Sequence, residues 1–276
     1  LENPIDISTR ARSRAGELAV RSRRQTLTKV PEITAYFWIL KLLTTGMGEA
    51  TSDYLDHWLL PVVAVLLAGI GLAVALLLQF SAPRYVAWRY WLAVVMVAIF
   101  GTMAADGLHY QLGLPYLVTA PFYAVALAAI FVGWRVSEGT LSIHSVYTAR
   151  REAFYWAAVL ATFALGTAVG DLTALTFGIG FLASAGLFAV LIAVPAVAYR
   201  WLAWNAILTF WLAYILTRPL GASVADWMAV PHILGGLDLG RGSVSVIMTI
   251  PIFALVAYMS VTRKDVRREQ DALPSH

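Results

Sequence analysis

The sequence contains no cysteine, which excludes disulfides, thiolate metal sites and cysteine nucleophiles. It is also short of charge: Asp, Glu, Lys and Arg make up 13% of 276 residues, against about 25% in a soluble domain. The deficit is concentrated. Residues 59–80, 112–134, 172–199 and 243–261 hold no charged side chain at all, and roughly 20 apolar residues suffice to span a bilayer. Neither H-E-x-x-H nor G-x-S-x-G occurs, so the common hydrolase signatures are missing and no enzyme is expected. The first 30 residues lack an apolar core and a cleavage site, so they do not read as a signal peptide. Residues 1–30 are expected to be a disordered basic cytoplasmic arm, and 263–276 a cytoplasmic tail.

What charge there is falls unevenly. The net charge is +4 and the isoelectric point about 9.4, but the pattern is not that of a nucleic-acid binder. Seven cations lie between Arg10 and Lys29, and ten more at Arg84, Arg89, Arg135, Arg150, Arg151, Arg200, Arg263, Lys264, Arg267 and Arg268. These 17 of 20 basic residues occupy every second connection and the tail, while Arg241 is alone in a connection on the other side. That bias is the positive-inside pattern. It predicts both termini in the cytoplasm and the lipid bilayer as the first partner, with a second copy or another membrane protein as the next.

The apolar chain carries an internal repeat. FWILKLLTTGMGEATSD from Phe37, YWLAVVMVAIFGTMAAD from Tyr90, YWAAVLATFALGTAVGD from Tyr155 and FWLAYILTRPLGASVAD from Phe210 align without a gap as [FY]-W-x9-G-x4-D. The fold class this implies is all-α and polytopic: eight transmembrane helices over 31–262, arranged as four parallel-repeated helical hairpins at about 33–80, 86–134, 153–199 and 202–262. Odd-numbered helices carry the motif and are expected inside; the uncharged even-numbered ones are expected at the periphery.

Each part of the motif suggests a task. Gly48, Gly101, Gly166 and Gly221 precede Ser52, Ala105, Gly170 and Ala225 by four residues, and such small-xxx-small pairs let helices in lipid approach closely. Asp53, Asp106, Asp171 and Asp226 follow at once. One turn earlier on the same helical face stand Glu49, Thr102, Thr167 and Ala222. Deeper in the first and fourth copies lie Thr45, Lys41 and Arg218. At 1.5 Å per residue, Lys41 sits roughly 18 Å from the level of Asp53, and Arg218 roughly 12 Å from that of Asp226. Charges at such depth are costly and mark ion pathways by default. Five acids and two bases sum to −3 when ionised. Glu49 and a neighbouring copy's aspartate are the expected partners of the two bases. The repeated tryptophans resemble interfacial belt residues or packing residues, and His57, His109 and His232 read as loop histidines.

The stretches KVPEITAYFWILKLLTTGMGEATSDYL, FYWAAVLATFALGTAVGDL and FWLAYILTRPLGASVADW resemble a family of bacterial inner-membrane proteins described as membrane-anchored and uncharacterised. The resemblance spans roughly residues 29–262. It implies a location in the bacterial inner membrane and no activity. GEATSD is loosely similar to the acid-bearing hairpins of small manganese or calcium exporters, though their Glu-x-Gly-Asp core is absent here. The expected function is therefore a transporter or channel for a divalent cation (manganese, magnesium or calcium), proton-coupled. Asp53, Asp106, Asp171, Asp226 and Glu49 would hold the ion and Lys41 and Arg218 would balance the empty site. The divalent metal is substrate, and no resident cofactor is assigned. The alternative is a non-transporting scaffold or partner subunit with a structural polar core.

Overall fold

The computed structural model describes residues 28–266. The expected arm through residue 27 and the tail from residue 267 lie outside that range. Eight long helices are present among the described residues: α1 (Ala35–Trp58), α2 (Pro61–Phe80), α3 (Ala87–Asp106), α4 (Tyr116–Glu138), α5 (Ala149–Asp171), α6 (Phe181–Trp201), α7 (Ala206–Ala229) and α8 (Arg241–Thr262). Seven of them are long and apolar enough to cross a membrane, which makes this a multi-pass membrane protein. α1 falls short of that standard; it carries Lys41, Glu49, Asp53 and Asp56.

The motif-bearing helices form the inside. α1 packs on α3, α3 on α5, α5 on α7, and α7 back on α1, closing a ring of four. Buried residues make up 56–61% of the most apolar stretch of α3, α5 and α7, but 22–28% of that of α2, α4, α6 and α8. The outward faces of the peripheral helices are aliphatic, as with Leu66, Ile70 and Leu77 on α2 and Val190 and Val194 on α6. Such surfaces suit lipid, where apolar exposure has no hydration cost.

The repeat glycines explain how the ring closes. A Cβ added at Gly48 would collide with Ala98, and one at Gly166 with the stem of Arg218. At Gly101 it would stand 2.7 Å from Phe163 Cβ, and at Gly221 2.8 Å from Thr45 Cβ. Thr45, Ala98, Phe163 and Arg218 occupy one position of the repeat, three residues before the glycine. Every glycine therefore receives the same position of the next repeat, with the fourth receiving the first.

The opposite end obeys the same rule with aromatic rings. Phe37 packs on Trp91 at 5.9 Å between centroids, Tyr90 on Trp156 at 5.5 Å, Tyr155 on Trp211 at 6.2 Å and Phe210 on Trp38 at 5.9 Å. Trp91, Trp156 and Trp211 are buried. These tryptophans thus serve packing, the second of the two roles expected, and do not form a lipid-facing belt; in aromatic pairs the geometry adds about 0.5–1.5 kcal/mol beyond area burial.

The hairpin expectation needs correction. The two helices of one repeat touch little. Instead α2 lies against α3, α4 against α5, α6 against α7, and α8 against α1. Each repeat lends its peripheral helix to the next, and the two ends of the chain complete the circle. The outer groove of each ring helix is filled by the helix that precedes it. At the α8–α1 seam, Thr51 and Ser245 hydroxyls meet at 2.6 Å, and Arg241 Nε donates to Asp53 Oδ2 at 2.7 Å.

Residues 28–30 correct the boundary of the arm, because they pack. Lys29 Nζ donates to buried Glu152 at 2.6 Å and to Phe80 O at 3.1 Å, and Gln79 Nε2 donates to the other oxygen of Glu152 at 2.9 Å. Nearby, Tyr85 donates to Asp265 Oδ2 at 2.5 Å; burial pushes the Asp265 carboxyl above its ordinary range, and the Tyr85 bond pulls it partly back.

Two glycine substitutions check the seam. Gly101→Ala sets a Cβ against the Phe163 Cβ, whereas the same change at Gly186 meets nothing within 4 Å. Overpacking of this kind costs about 1–3 kcal/mol, while Gly→Ala in an open helix position gains up to ~1 kcal/mol. Thermal unfolding in detergent should show a lowered midpoint for Gly101→Ala and an unchanged or raised one for Gly186→Ala.

Candidate functional site

A 3.6-residue helix brings every fourth residue to nearly one face, so each ring helix offers the axis four tiers. The tiers are Lys41, Val94, Val159 and Tyr214; Thr45, Ala98, Phe163 and Arg218; Glu49, Thr102, Thr167 and Ala222; and the four aspartates. Neighbouring tiers stand about 6 Å apart along the axis.

The third tier meets the second around one group. Arg218, fully buried, directs Nη2 at Glu49 Oε2 (2.7 Å), at Thr167 Oγ1 (2.7 Å) and at Thr102 Oγ1. Its Nη1 donates to the Thr45 carbonyl at 3.1 Å. The Thr102 and Thr167 hydroxyls also donate to Glu49 Oε2, at 3.2 and 3.3 Å. A guanidinium from the fourth repeat is thus held by oxygens of the other three. Pro219 follows it inside α7, and proline removes one ladder hydrogen bond from the helix.

Lys41 takes a different partner from the one expected. Its amine has no hydrogen-bond acceptor and lies over the rings of Phe163 (3.8 Å) and Tyr214 (4.2 Å). The Arg218 guanidinium carbon is 5.0 Å from the same Phe163 ring. Glu49 therefore serves Arg218, no aspartate among the described residues pairs with either base, and Lys41 rests on aromatic faces. Cation–π contacts are worth ~2 kcal/mol or more when desolvated. Tyr214 stands on this face by helical spacing, at the level of Lys41 in the fourth copy, whereas the sequence reading passes over Phe163; the available signal was that Phe163 shares a repeat position with Thr45 and Arg218.

The four aspartates come to one end of the ring. Asp106, Asp171 and Asp226 are buried, and each lies within electrostatic reach of Glu49 and Asp53. Asp53 is the most exposed of the four and is held by Arg241, a residue the sequence pointed to only for its solitary position. Past Asp106 and Asp171 the chain runs into π-helical turns, Gly107–Gln111 and Leu172–Thr176, a feature common near functional sites.

Close approach stops short of chelation. Among the described residues, no three His, Cys, Asp or Glu side chains stand together in a way that could hold a metal ion. The expected five-carboxylate cage of Asp53, Asp106, Asp171, Asp226 and Glu49 is not assembled. Like charges gathered in a low-dielectric bundle repel, and the tiers hold Glu49 a full turn below the aspartates. The histidines contribute nothing here: His109 stacks on Tyr116 at 3.8 Å, His232 Nδ1 lies 2.8 Å from Gly236 O, and His57 packs beside Trp58.

The Arg218–Glu49 pair should be energetically unforgiving. Removing one member of a buried ion pair costs about 3–5 kcal/mol, because the other is left buried and unpaired. Arg218→Met should therefore depress the unfolding midpoint strongly, and adding Glu49→Gln should recover much of the loss. A double-mutant cycle on purified protein measures it; simple additivity would show that the two groups do not depend on each other.

No curated protein and no solved structure matches the chain. A family model does, in four consecutive copies covering residues 36–85, 89–140, 154–203 and 209–265. Those copies coincide with the repeat read from the motif and with the four ring helices that build the axial site, and on that ground the chain belongs to the family described as "Repeat of Unknown Function (DUF347)".

Proposed function

We propose that the protein is a transporter for a small cation, divalent manganese, magnesium or calcium foremost, coupled to protons and working along the axis of the ring. In this reading all eight helices cross a bacterial inner membrane, α1 included, because its charged face is turned to the axis and away from lipid. The basic connections and both termini are cytoplasmic, so the aspartate end opens to the outside.

One observation carries the proposal: a cationic guanidinium occupies an axial nest of oxygens drawn from three other repeats. One carboxylate, two hydroxyls and a backbone carbonyl are hard donors of the kind that bind magnesium, calcium or manganese. In the form described, Arg218 fills that nest as an internal cation. The aspartates above act as a vestibule that concentrates cations and gives them up to Glu49. Arg218 must then leave as the substrate arrives, and α7 can bend at Pro219 to let it. Proton coupling follows from the excess of acids, since a site without its cation holds carboxylates that repel.

A second reading rests on the glycine seams, which leave no room for a Cβ at four places around the axis. A core so closely filled also suits a non-transporting scaffold or partner subunit.

Reconstituted liposomes separate the two. The transport reading expects uptake of at least one of manganese, magnesium and calcium with a matching pH change inside. Glu49→Gln should reduce it tenfold or more, a step of about 1.4 kcal/mol in barrier, and Asp106→Asn should raise the concentration needed for half-maximal rate. Absence of ion and proton flux in folded wild-type protein would leave the scaffold reading. Topology is checked separately: a reporter after His276 should be cytoplasmic, and reporters near Leu112, Leu175 and Gly236 external.

A further inference from the structure

The exchange of peripheral helices leaves an opening in the outer wall. α4 lies on α5 and α6 on α7, and between the C-terminal end of α4 and the N-terminal end of α7 runs a crevice of about 390 Å³. Phe131, Leu208, Leu212, Ile215 and the buried Trp211 line it. Trp211 is fixed there by its indole N–H, which donates to Leu141 O at 3.0 Å, and by a T-shaped contact with the Phe131 ring, 4.9 Å between centroids. From Ile207 to Ile215 the lining descends roughly 12 Å along α7.

The rim is cationic. Arg135 is exposed and carries no ion pair among the described residues, because Glu138, the acid one turn away, is already held by Arg151 at 2.8 Å and Arg150 at 3.6 Å. Thr140 also lines the crevice. The flanking residues Val132, Val136 and Leu208 are exposed and apolar, so the crevice opens sideways toward lipid. A free guanidinium at the interface above an apolar slot matches one molecule in both halves: a phosphate head group above an acyl chain.

We propose that this crevice is a binding site for an anionic phospholipid of the adjoining leaflet, with the head-group phosphate on Arg135 and one acyl chain along Leu208, Leu212 and Ile215 against Trp211. Charge complementarity selects the occupant. Arg150, Arg151 and Arg200 belong to the same end of the bundle, so the local field favours an anion, and basic pockets between transmembrane helices bind such head groups. The chain's own N-terminal arm is excluded by sign, since its cations run from Arg10 to Lys29. The site is independent of any transport activity.

The test uses the full chain in a neutral detergent, with thermal unfolding followed against phosphatidylglycerol, phosphatidylcholine and inorganic phosphate. Ligand that binds only the folded state raises the midpoint. Phosphatidylglycerol should raise it and the other two should not. Arg135→Gln, at an exposed position that folding does not depend on, should weaken the phosphatidylglycerol effect about fivefold. Leu212→Trp should fill the slot and abolish it. Equal shifts with the two lipids, or an Arg135→Gln titration identical to wild type, would overturn head-group recognition. A shift with phosphate alone would make the rim a site for a soluble anion, and a dimer that phosphatidylglycerol does not dissociate would assign the crevice to a second copy; either result overturns the proposal.

Discussion

Four helices can surround an axis and still touch one another only if something small lies at each contact. Here that is the glycine ten residues after the repeat tryptophan, which admits the side chain three residues ahead of the next repeat's glycine. In lipid no hydrophobic force drives helices together, and association depends on how closely they pack. The seam therefore does more than fill space. It sets the radius of the ring, and the radius decides that Glu49, Thr102, Thr167 and Arg218 meet at hydrogen-bonding distance. A wider ring would leave the guanidinium without partners at a depth where that is severely costly.

The same seam accounts for the loan of peripheral helices. A ring helix uses two faces for its neighbours and one for the axis, which leaves a single outer groove. The helix arriving from the previous repeat reaches that groove through a short turn, as α2 reaches α3 through residues 81–86. Once filled, the groove has no place for the helix that leaves, which goes on to the next repeat. The last helix, α8, finds the groove of α1 still empty. Thr51, Asp53 and Tyr54 of α1 meet Ser245, Arg241 and Gly242 of α8 there.

Much of this was legible in the chain, for identifiable reasons. The four-offset motif located the ring helices because its tryptophan and glycine sit at the contacts between them, where the indole meets a neighbouring repeat's aromatic ring and an added Cβ would collide. The small-xxx-small spacing exposed the seam, and the absence of charge marked the periphery. The helix loan was not legible, because an aliphatic helix such as α2 fits either neighbour equally well by sequence. The partners of the two bases were misjudged for a related reason. Helical spacing places Lys41 on the carboxylate face of its own helix, but which groups cross the axis depends on rotamers and on the size of opposing residues. Phe163, from a helix with no buried cation, lies against both Lys41 and Arg218.

The departures from four-fold symmetry follow from the geometry of an axis. A repeated residue on a symmetric axis appears four times at one level, which suits small side chains and defeats large charged ones. Four copies of Glu49 would place four carboxylates around a single point, and four of Arg218 as many guanidinium groups, in a low dielectric where like charges repel strongly. A one-to-one ion pair on the axis therefore requires the copies to differ. The tiers show the solution: Glu49 faces two threonines and Ala222, and Arg218 shares its level with Thr45, Ala98 and a single aromatic, Phe163. Only at the aspartate end, where Asp53 reaches Arg241, does one charged residue persist in all four copies. Symmetry thus holds where the chain must close and at that end, and it breaks where a charge must be held alone.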